Sequence, residues 1–221
     1  MTDIRKYWNN WILEWEKISY EGRRPQGIVE RLASRFRSVK QRMDNALTIL
    51  SPLVRGRTIL DLGCGSGIFD RFLIHAGAVD VWGIDFSNSA IERAKERAAE
   101  LKINDKCHYE CAAITEANFP RTDITVALGL LDYLAPNEVI AVFRKTESQY
   151  YLMSFLQRKL SISMVLHSFY TRYRKVPVVK RYRASQLREF LAKAGKTGYS
   201  IDDSKSFVLK LPPIADGTQL A

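Results

Sequence analysis

One segment of the chain is built for chemistry on a backbone loop. It is Asp61-Leu62-Gly63-Cys64-Gly65-Ser66-Gly67, followed by Asp85 at a distance of 18 residues from the last glycine. Glycines at alternate positions let the chain turn sharply and approach a ligand closely, because no Cβ intervenes. Such a loop, opening directly into a helix, presents backbone N–H groups that favour a carboxylate or a phosphate. A carboxylate at position 85, placed at the end of the next strand, can accept both hydroxyls of a ribose. Two ligand classes share this geometry. A dinucleotide needs GxGxxG, whose third glycine packs helix on strand around a pyrophosphate. Here the spacing is GxGxG, and the acid before it, Asp61, would repel a pyrophosphate but suits an ammonium group. The residues therefore favour a ligand with an ammonium, a carboxylate and a ribose.

The elements that must position these groups are legible from hydrophobic rhythm. Thr58–Leu62 reads as a short apolar strand, and apolar residues at 68, 69, 72, 73 and 76 mark a helix stopped by Gly77. Val79–Asp85 reads as a second strand. Ser89 and Glu92 have capping-box spacing at the start of a helix carrying Ile91, Ala94, Ala98 and Leu101. Further strands are expected at 107–111, 123–128, 150–155 and 207–211, with Pro136 opening one helix and Ser185 another that Gly195 ends. Upstream, aromatic residues from Tyr7 to Tyr20 fit one helix, and apolar spacings of three and four from Ile28 to Leu50 predict a long amphipathic one. Strands alternating with helices imply crossover units and an α/β, doubly wound, mostly parallel sheet preceded by N-terminal helices.

The stretches Thr58–Gly67 and Gly83-Ile84-Asp85-Phe86-Ser87 resemble the first and second motifs of class I S-adenosylmethionine-dependent methyltransferases. The resemblance runs over residues 40–211 and implies a Rossmann-like methyltransferase fold, a seven-stranded sheet whose last strand is antiparallel. It implies S-adenosylmethionine as cofactor and S-adenosylhomocysteine as product. Asp61 and the loop residues Gly63, Cys64, Gly65 and Gly67 would line the cofactor, Asp85 would take the ribose, and Phe86 would lie beside the adenine. The family often places an Asp-Ala pair after the third strand; here Ala112-Ala113 stands there, so that acid's contact with adenine is missing or supplied elsewhere. Leu128, in the run Ala127–Tyr133, falls where similar enzymes hold the methionine part and face the acceptor. This run has no Asn/Asp-Pro-Pro-Tyr motif of the kind used on nucleic-acid amino groups. A weaker likeness in element order is to small-molecule O- and N-methyltransferases, porphyrin carboxyl methyltransferases among them.

Methyl transfer from a sulfonium needs an acceptor lone pair held in line, and a base only where the acceptor is a hydroxyl. His167 is the candidate base, weighed against an ordinary surface histidine, and Asp132 and Tyr133 are candidates to orient the acceptor, Asp132 weighed against a helix cap. Cys64 has no neighbouring histidine and reads as loop filler rather than a nucleophile. The three cysteines match no zinc spacing, so no metal is expected. The net charge of +10 is unevenly spread: residues 61–150 carry 9 basic and 14 acidic side chains, whereas residues 151–200 carry 11 and 1. That lopsided segment, with Arg172, Arg174, Lys180 and Arg181, predicts an anionic small-molecule acceptor. Its interleaved aromatics leave open an RNA or nucleotide substrate, and a non-catalytic cofactor-binding partner protein is a third reading. The expected organisation is an N-terminal lid or acceptor region over 1–50, a methyltransferase domain over 51–211 with an acceptor-side insertion at 156–184, and a tail at 212–221. The N-terminus lacks the apolar core of a signal peptide and no run reaches the roughly 20 apolar residues of a membrane span, so a cytoplasmic protein is expected.

Overall fold

The structure, a computed structural model, describes residues 4–19, 39–157, 172 and 179–212. Two helices, α1 (Ile4–Ser19) and α2 (Val39–Leu50), come first. Then β1 (Thr58–Leu62), α3 (Ile68–His75), β2 (Asp80–Asp85), α4 (Asn88–Glu100) and β3 (Cys107–Cys111) follow in alternation. The described residues of the second half then form β4 (Ile124–Ala127), a 3₁₀ turn (Leu131–Tyr133), α5 (Pro136–Lys145), β5 (Tyr150–Ser154), α6 (Ala184–Lys193), β6 (Ser200–Asp202) and β7 (Phe207–Lys210).

The seven strands form one sheet in the order β3-β2-β1-β4-β5-β7-β6. Strands β1 to β5 are mutually parallel, and β7 runs antiparallel between β5 and β6. This is the doubly wound sheet that the alternating pattern predicts. Its central strands are buried on both faces, which is why they read as continuous apolar runs rather than alternating ones. Ile59, Val81, Ile124, Val126 and Leu152 enter the layer beneath α2 and α3. Leu60, Leu62, Ile84, Ala127, Tyr151 and Met153 enter the opposite layer with α5 and α6. Each fully buried aliphatic side chain contributes about 1.5–3 kcal/mol.

Helix ends follow the residues that permit them. Gly77 has φ 104°, just beyond the Ala76 cap that ends α3. Pro136 occupies the first turn of α5, and Glu138 reaches back to accept from the Ala135 N–H at 2.5 Å. At α4 the expected cap is displaced: Ser87, not Ser89, is the N-cap, accepting from the Ala90 N–H at 3.3 Å. Glu92 instead accepts from the Asn88 side chain at 2.8 Å, and the Ser89 hydroxyl is drawn off by α1. Strand β6 has only three residues and no apolar run, so periodicity passed over it. Of the long helix expected over 28–50, only Val39–Leu50 lies within the described residues.

The strand order reverses across β1, whose neighbours β2 and β4 depart in opposite directions. A crevice opens at the carboxyl ends of strands at such a point. The glycine loop, Asp85 and the β4 exit all lie on this rim.

Candidate functional site

The loop after β1 is shaped by left-handed glycines: Gly63, Gly65 and Gly67 have φ values of 77°, 56° and 68°. Its backbone is pinned to the neighbouring strand, since the Gly63 and Cys64 N–H groups both donate to the Ile84 carbonyl, at 2.8 and 3.3 Å. A Cβ on Gly67 would meet the Tyr109 hydroxyl at 2.5 Å, so the loop lies directly on the ring below it. Cys64 is buried in the same layer. Burial and the nearby aspartates push its thiol well above the ordinary range, leaving it a packing residue rather than a nucleophile.

Asp85 ends β2 half-buried, and its carboxylate joins the two loops. One oxygen accepts from the Gly65 N–H at 3.1 Å and the other from the Ser87 N–H at 2.8 Å. Burial raises its pKa, and these backbone donors oppose the rise. Phe86 follows, half-buried, and Ala112 ties the end of β3 to the same place through its N–H to the Asp85 carbonyl at 3.0 Å. Leu128 is partly buried against the α2–α3 layer, at the exit of β4. The cofactor residues read from the sequence thus converge on one rim.

Beneath the loop lies an acidic pair. Asp61 and Asp70 are both buried; Asp61 Oδ1 and both Asp70 oxygens make no hydrogen bond of ordinary geometry among the described residues. Burial, and then the charge of Asp70, raises Asp61 well above the usual carboxylate range. Burial carries Asp70 to about 6, with Asp61, the Tyr109 hydroxyl and the Arg97 guanidinium acting against it. An orphaned carboxyl oxygen at the end of β1 is the partner an ammonium group requires. With the Asp85 carboxylate for a ribose and the α3 N-terminus for a carboxylate, the residues present fit S-adenosylmethionine.

Sequence reasoning missed what covers the loop. Glu16 of α1 is buried, and its Oε1 accepts from the Ser66 N–H at 3.1 Å while its Oε2 accepts from the Ser66 hydroxyl. Arg97, buried on α4, donates to both the carbonyl and the hydroxyl of Ser66. Glu16, Ser66 and Arg97 lie far apart in the chain, so local spacing carries no signal of their meeting.

Beyond the exit of β4, Asp132 is wholly engaged. Its Oδ2 accepts from Arg42 Nη1 at 3.0 Å and its Oδ1 from the Leu156 N–H at 2.6 Å, while its carbonyl accepts from the Lys180 N–H at 2.6 Å. Burial raises its pKa and Arg42 opposes the rise. Arg42 also donates to the Ser154 hydroxyl at 3.4 Å, which in turn accepts from the Gly129 N–H at 2.8 Å. Tyr133 packs edge-on against Trp8 of α1, with centroids 5.6 Å apart, and burial raises its hydroxyl pKa. Lys180 and Arg181 are half-buried near Asp132, and partial burial lowers the Arg181 pKa. Arg172 is exposed. His167 and Arg174 lie outside the described residues, as does most of the 156–184 insertion. Among the described residues no His/Cys/Asp/Glu group could hold a metal ion.

A family profile described as a methyltransferase domain matches residues 59–148. The chain is 34% identical over 83 residues to the ubiquinone biosynthesis O-methyltransferase of Coxiella burnetii, a match covering 37% of this chain and 34% of that protein. The match therefore spans about a third of the relative's length. Among solved structures, the magnesium protoporphyrin IX methyltransferase of Synechocystis PCC 6803, with bound S-adenosylhomocysteine, superposes with a TM-score of 0.70 at 18% identity, over 94% of this chain and 95% of that one. An O-methyltransferase family 2 protein of Planctomyces limnophilus, in complex with apigenin, gives a TM-score of 0.59 at 18% identity, over 89% and 60%. Residues 59–148 thus match a methyltransferase domain, and the chain as a whole shares the fold of these solved structures.

Proposed function

We propose that the chain binds S-adenosylmethionine and transfers its methyl group to an oxygen or nitrogen of a small anionic molecule, releasing S-adenosylhomocysteine. The observation that carries the reading is the carboxylate of Asp85, fixed between the Gly65 and Ser87 N–H groups at the mouth of the switch-point crevice. That arrangement holds an acceptor of two hydroxyls at a set distance from a helix N-terminus and from the orphaned oxygen of Asp61. The relative and the structural neighbours named above, methyltransferases all, support the same chemistry.

The bound cofactor supplies an electrophilic methyl on a sulfonium, so the protein's work is to orient the acceptor and exclude water. Residues 1–50 act as lid and acceptor wall, and residues 51–211 as the transferase body with the 156–184 insertion beside the acceptor. Within this wall Arg42 holds Asp132, which fixes the backbone of Leu156 and Lys180 around the β4 and β5 exits. Arg181, Lys180, Arg172 and Arg174 supply positive charge for a carboxylate or phosphate on the acceptor. A carboxylate acceptor is itself nucleophilic and needs no general base; a hydroxyl acceptor would call on His167 as base, with the Tyr133 hydroxyl left to orient it. Three cysteines without a disulfide fit a cytoplasmic site of action. Among the described residues, no helix is long and apolar enough to cross a membrane.

The test is incubation with methyl-labelled S-adenosylmethionine and fractionated cell extract. Label should move to a small acidic product. Label moving to RNA would overturn the small-molecule reading. Label that stays on a cofactor bound by the protein would overturn catalysis altogether.

A further inference from the structure

Both loops that line the groove read as the cofactor cleft are in contact with α1. One face of α1 presents Asn9, Ile12 and Glu16, spaced three and four apart and therefore in a line along two helical turns. Asn9 grips the β2–α4 loop: its side-chain oxygen accepts from the Ser87 hydroxyl and its carbonyl from the Ser89 hydroxyl, each at 2.8 Å. Ile12 and Glu16 lie against the β1–α3 loop, where a Cβ added to Gly65 would stand 3.0 Å from Glu16 Oε1 and 3.8 Å from Ile12 Cδ1. Glu16 takes the Ser66 N–H and hydroxyl with the Arg97 guanidinium behind them, a setting of donors and positive charge made for an anion. The helix thus touches the same two loops that a ribose and an amino-acid carboxylate would have to touch.

We infer that α1 is a displaceable internal occupant of the cofactor groove, its Glu16 carboxylate standing where the amino-acid carboxylate of S-adenosylmethionine would lie, so that docked α1 and bound cofactor exclude each other and this part of the 1–50 lid must lift off the two loops before the cofactor seats. The inference rests on the cofactor reading given above. The contact is built to be reversible. Docking buries the Glu16 carboxylate, and burial raises its pKa against the Ser66 hydrogen bonds and the Arg97 charge, with the Asp85 charge adding a smaller push upward. A like-charged neighbour in a poorly hydrated groove weakens the latch that Ser66 and Arg97 provide. The helix is therefore held by specific donors against the cost of burying a carboxylate.

The experiment titrates S-adenosylhomocysteine into the full chain by calorimetry, for the wild type, Glu16→Gln and Glu16→Ala. When only a fraction of molecules has the groove open, the apparent dissociation constant is raised by the reciprocal of that fraction. Loosening the latch should tighten binding, by roughly tenfold for Glu16→Ala and less for Glu16→Gln, which keeps one acceptor. Hydrogen exchange on the wild type should show residues 4–19 exchanging faster once S-adenosylhomocysteine is added. Equal or weaker binding by both variants, or slower exchange in 4–19 on ligand addition, would overturn the exclusion while leaving the cofactor reading intact. No binding by any of the three proteins, with α1 loosened by exchange in the variants, would overturn the cofactor reading and the inference with it.

Discussion

Gly67→Ala tests the packing that shapes the loop. Gly67 has φ 68°, a left-handed conformation that costs an L-residue with a side chain about 1–2 kcal/mol. The new methyl would also meet the Tyr109 hydroxyl at 2.5 Å, the ring carbon behind it at 3.1 Å and Ala94 Cβ at 3.3 Å. Overpacking of this kind costs about 1–3 kcal/mol. The two effects together give a loss of about 2–5 kcal/mol, which in a chain of 221 residues lowers Tm by roughly 4–20 °C. Urea denaturation followed by circular dichroism measures it. Tyr109→Phe then separates the causes, because it removes the nearest clashing atom and leaves the backbone conformation untouched. The double variant should be more stable than the two single losses predict, by about 1–2 kcal/mol. A Gly67→Ala loss below about 0.5 kcal/mol would refute the strained, closely packed loop. Strict additivity of the pair would refute the Tyr109 contact as its cause.

Asp85→Ala removes both carboxylate oxygens offered to a ribose, each hydrogen bond worth about 1.5–3 kcal/mol, so S-adenosylhomocysteine binding should fall out of calorimetric range; undiminished affinity sinks the ribose assignment. Arg42→Leu strands the buried Asp132 carboxylate and should cost about 3–5 kcal/mol in urea denaturation, with Asp132→Asn in the same chain restoring much of it. An unchanged midpoint would mean the pair is not buried in solution. Stability should also depend on pH through Asp70, whose pKa rises from 3.8 to about 6 on folding. Between those values the folded chain keeps a proton that the unfolded chain has lost, so stability is greatest below pH 4 for this group and falls as pH rises, by an amount on the order of 3 kcal/mol. Asp61, Asp85, Glu16 and Asp132 are raised on folding as well and add slope of the same sign. Asp70→Asn should flatten the Asp70 part of the profile, and an unaltered slope would contradict its burial as a carboxyl. Reversing the charges of Arg172, Arg174, Lys180 and Arg181 should raise the acceptor KM and spare cofactor affinity; unchanged acceptor kinetics would rule out an anionic acceptor.

The parts of the site legible in the sequence are those whose geometry is local. A strand, a three-glycine turn and a helix occupy consecutive residues, and Asp85 follows one crossover later, so spacing alone places them on one rim. What stayed hidden depends on contacts between distant residues. Glu16 reads as one charge in an aromatic helix, and only the packing of α1 on the loop brings it to Ser66. Arg97 and Asp70 look like ordinary helix charges until their helices turn them inward. At α4 two serines two residues apart could each serve as cap, and Ser87 takes the role while the Ser89 hydroxyl bonds to Asn9 of α1. Strand β6 owes its existence to antiparallel pairing with β7 rather than to apolar residues of its own.

The Asp132 knot has a consequence for how such a chain can change. Leu156 donates to the Asp132 side chain, Lys180 to the Asp132 carbonyl, and Tyr182 back to the Leu156 carbonyl at 2.9 Å. The two flanks of the intervening segment are therefore held together at one clasp, made by backbone groups and the Asp132 side chain. Lengthening a loop whose ends are already held costs only about 0.6 kcal/mol for each doubling. The chain between Gln157 and Val179 can thus be exchanged, shortened or extended while the clasp, with Arg42 behind it, stays constant. A lineage built on this clasp can rewrite one stretch of chain while the glycine loop and Asp85 stay untouched.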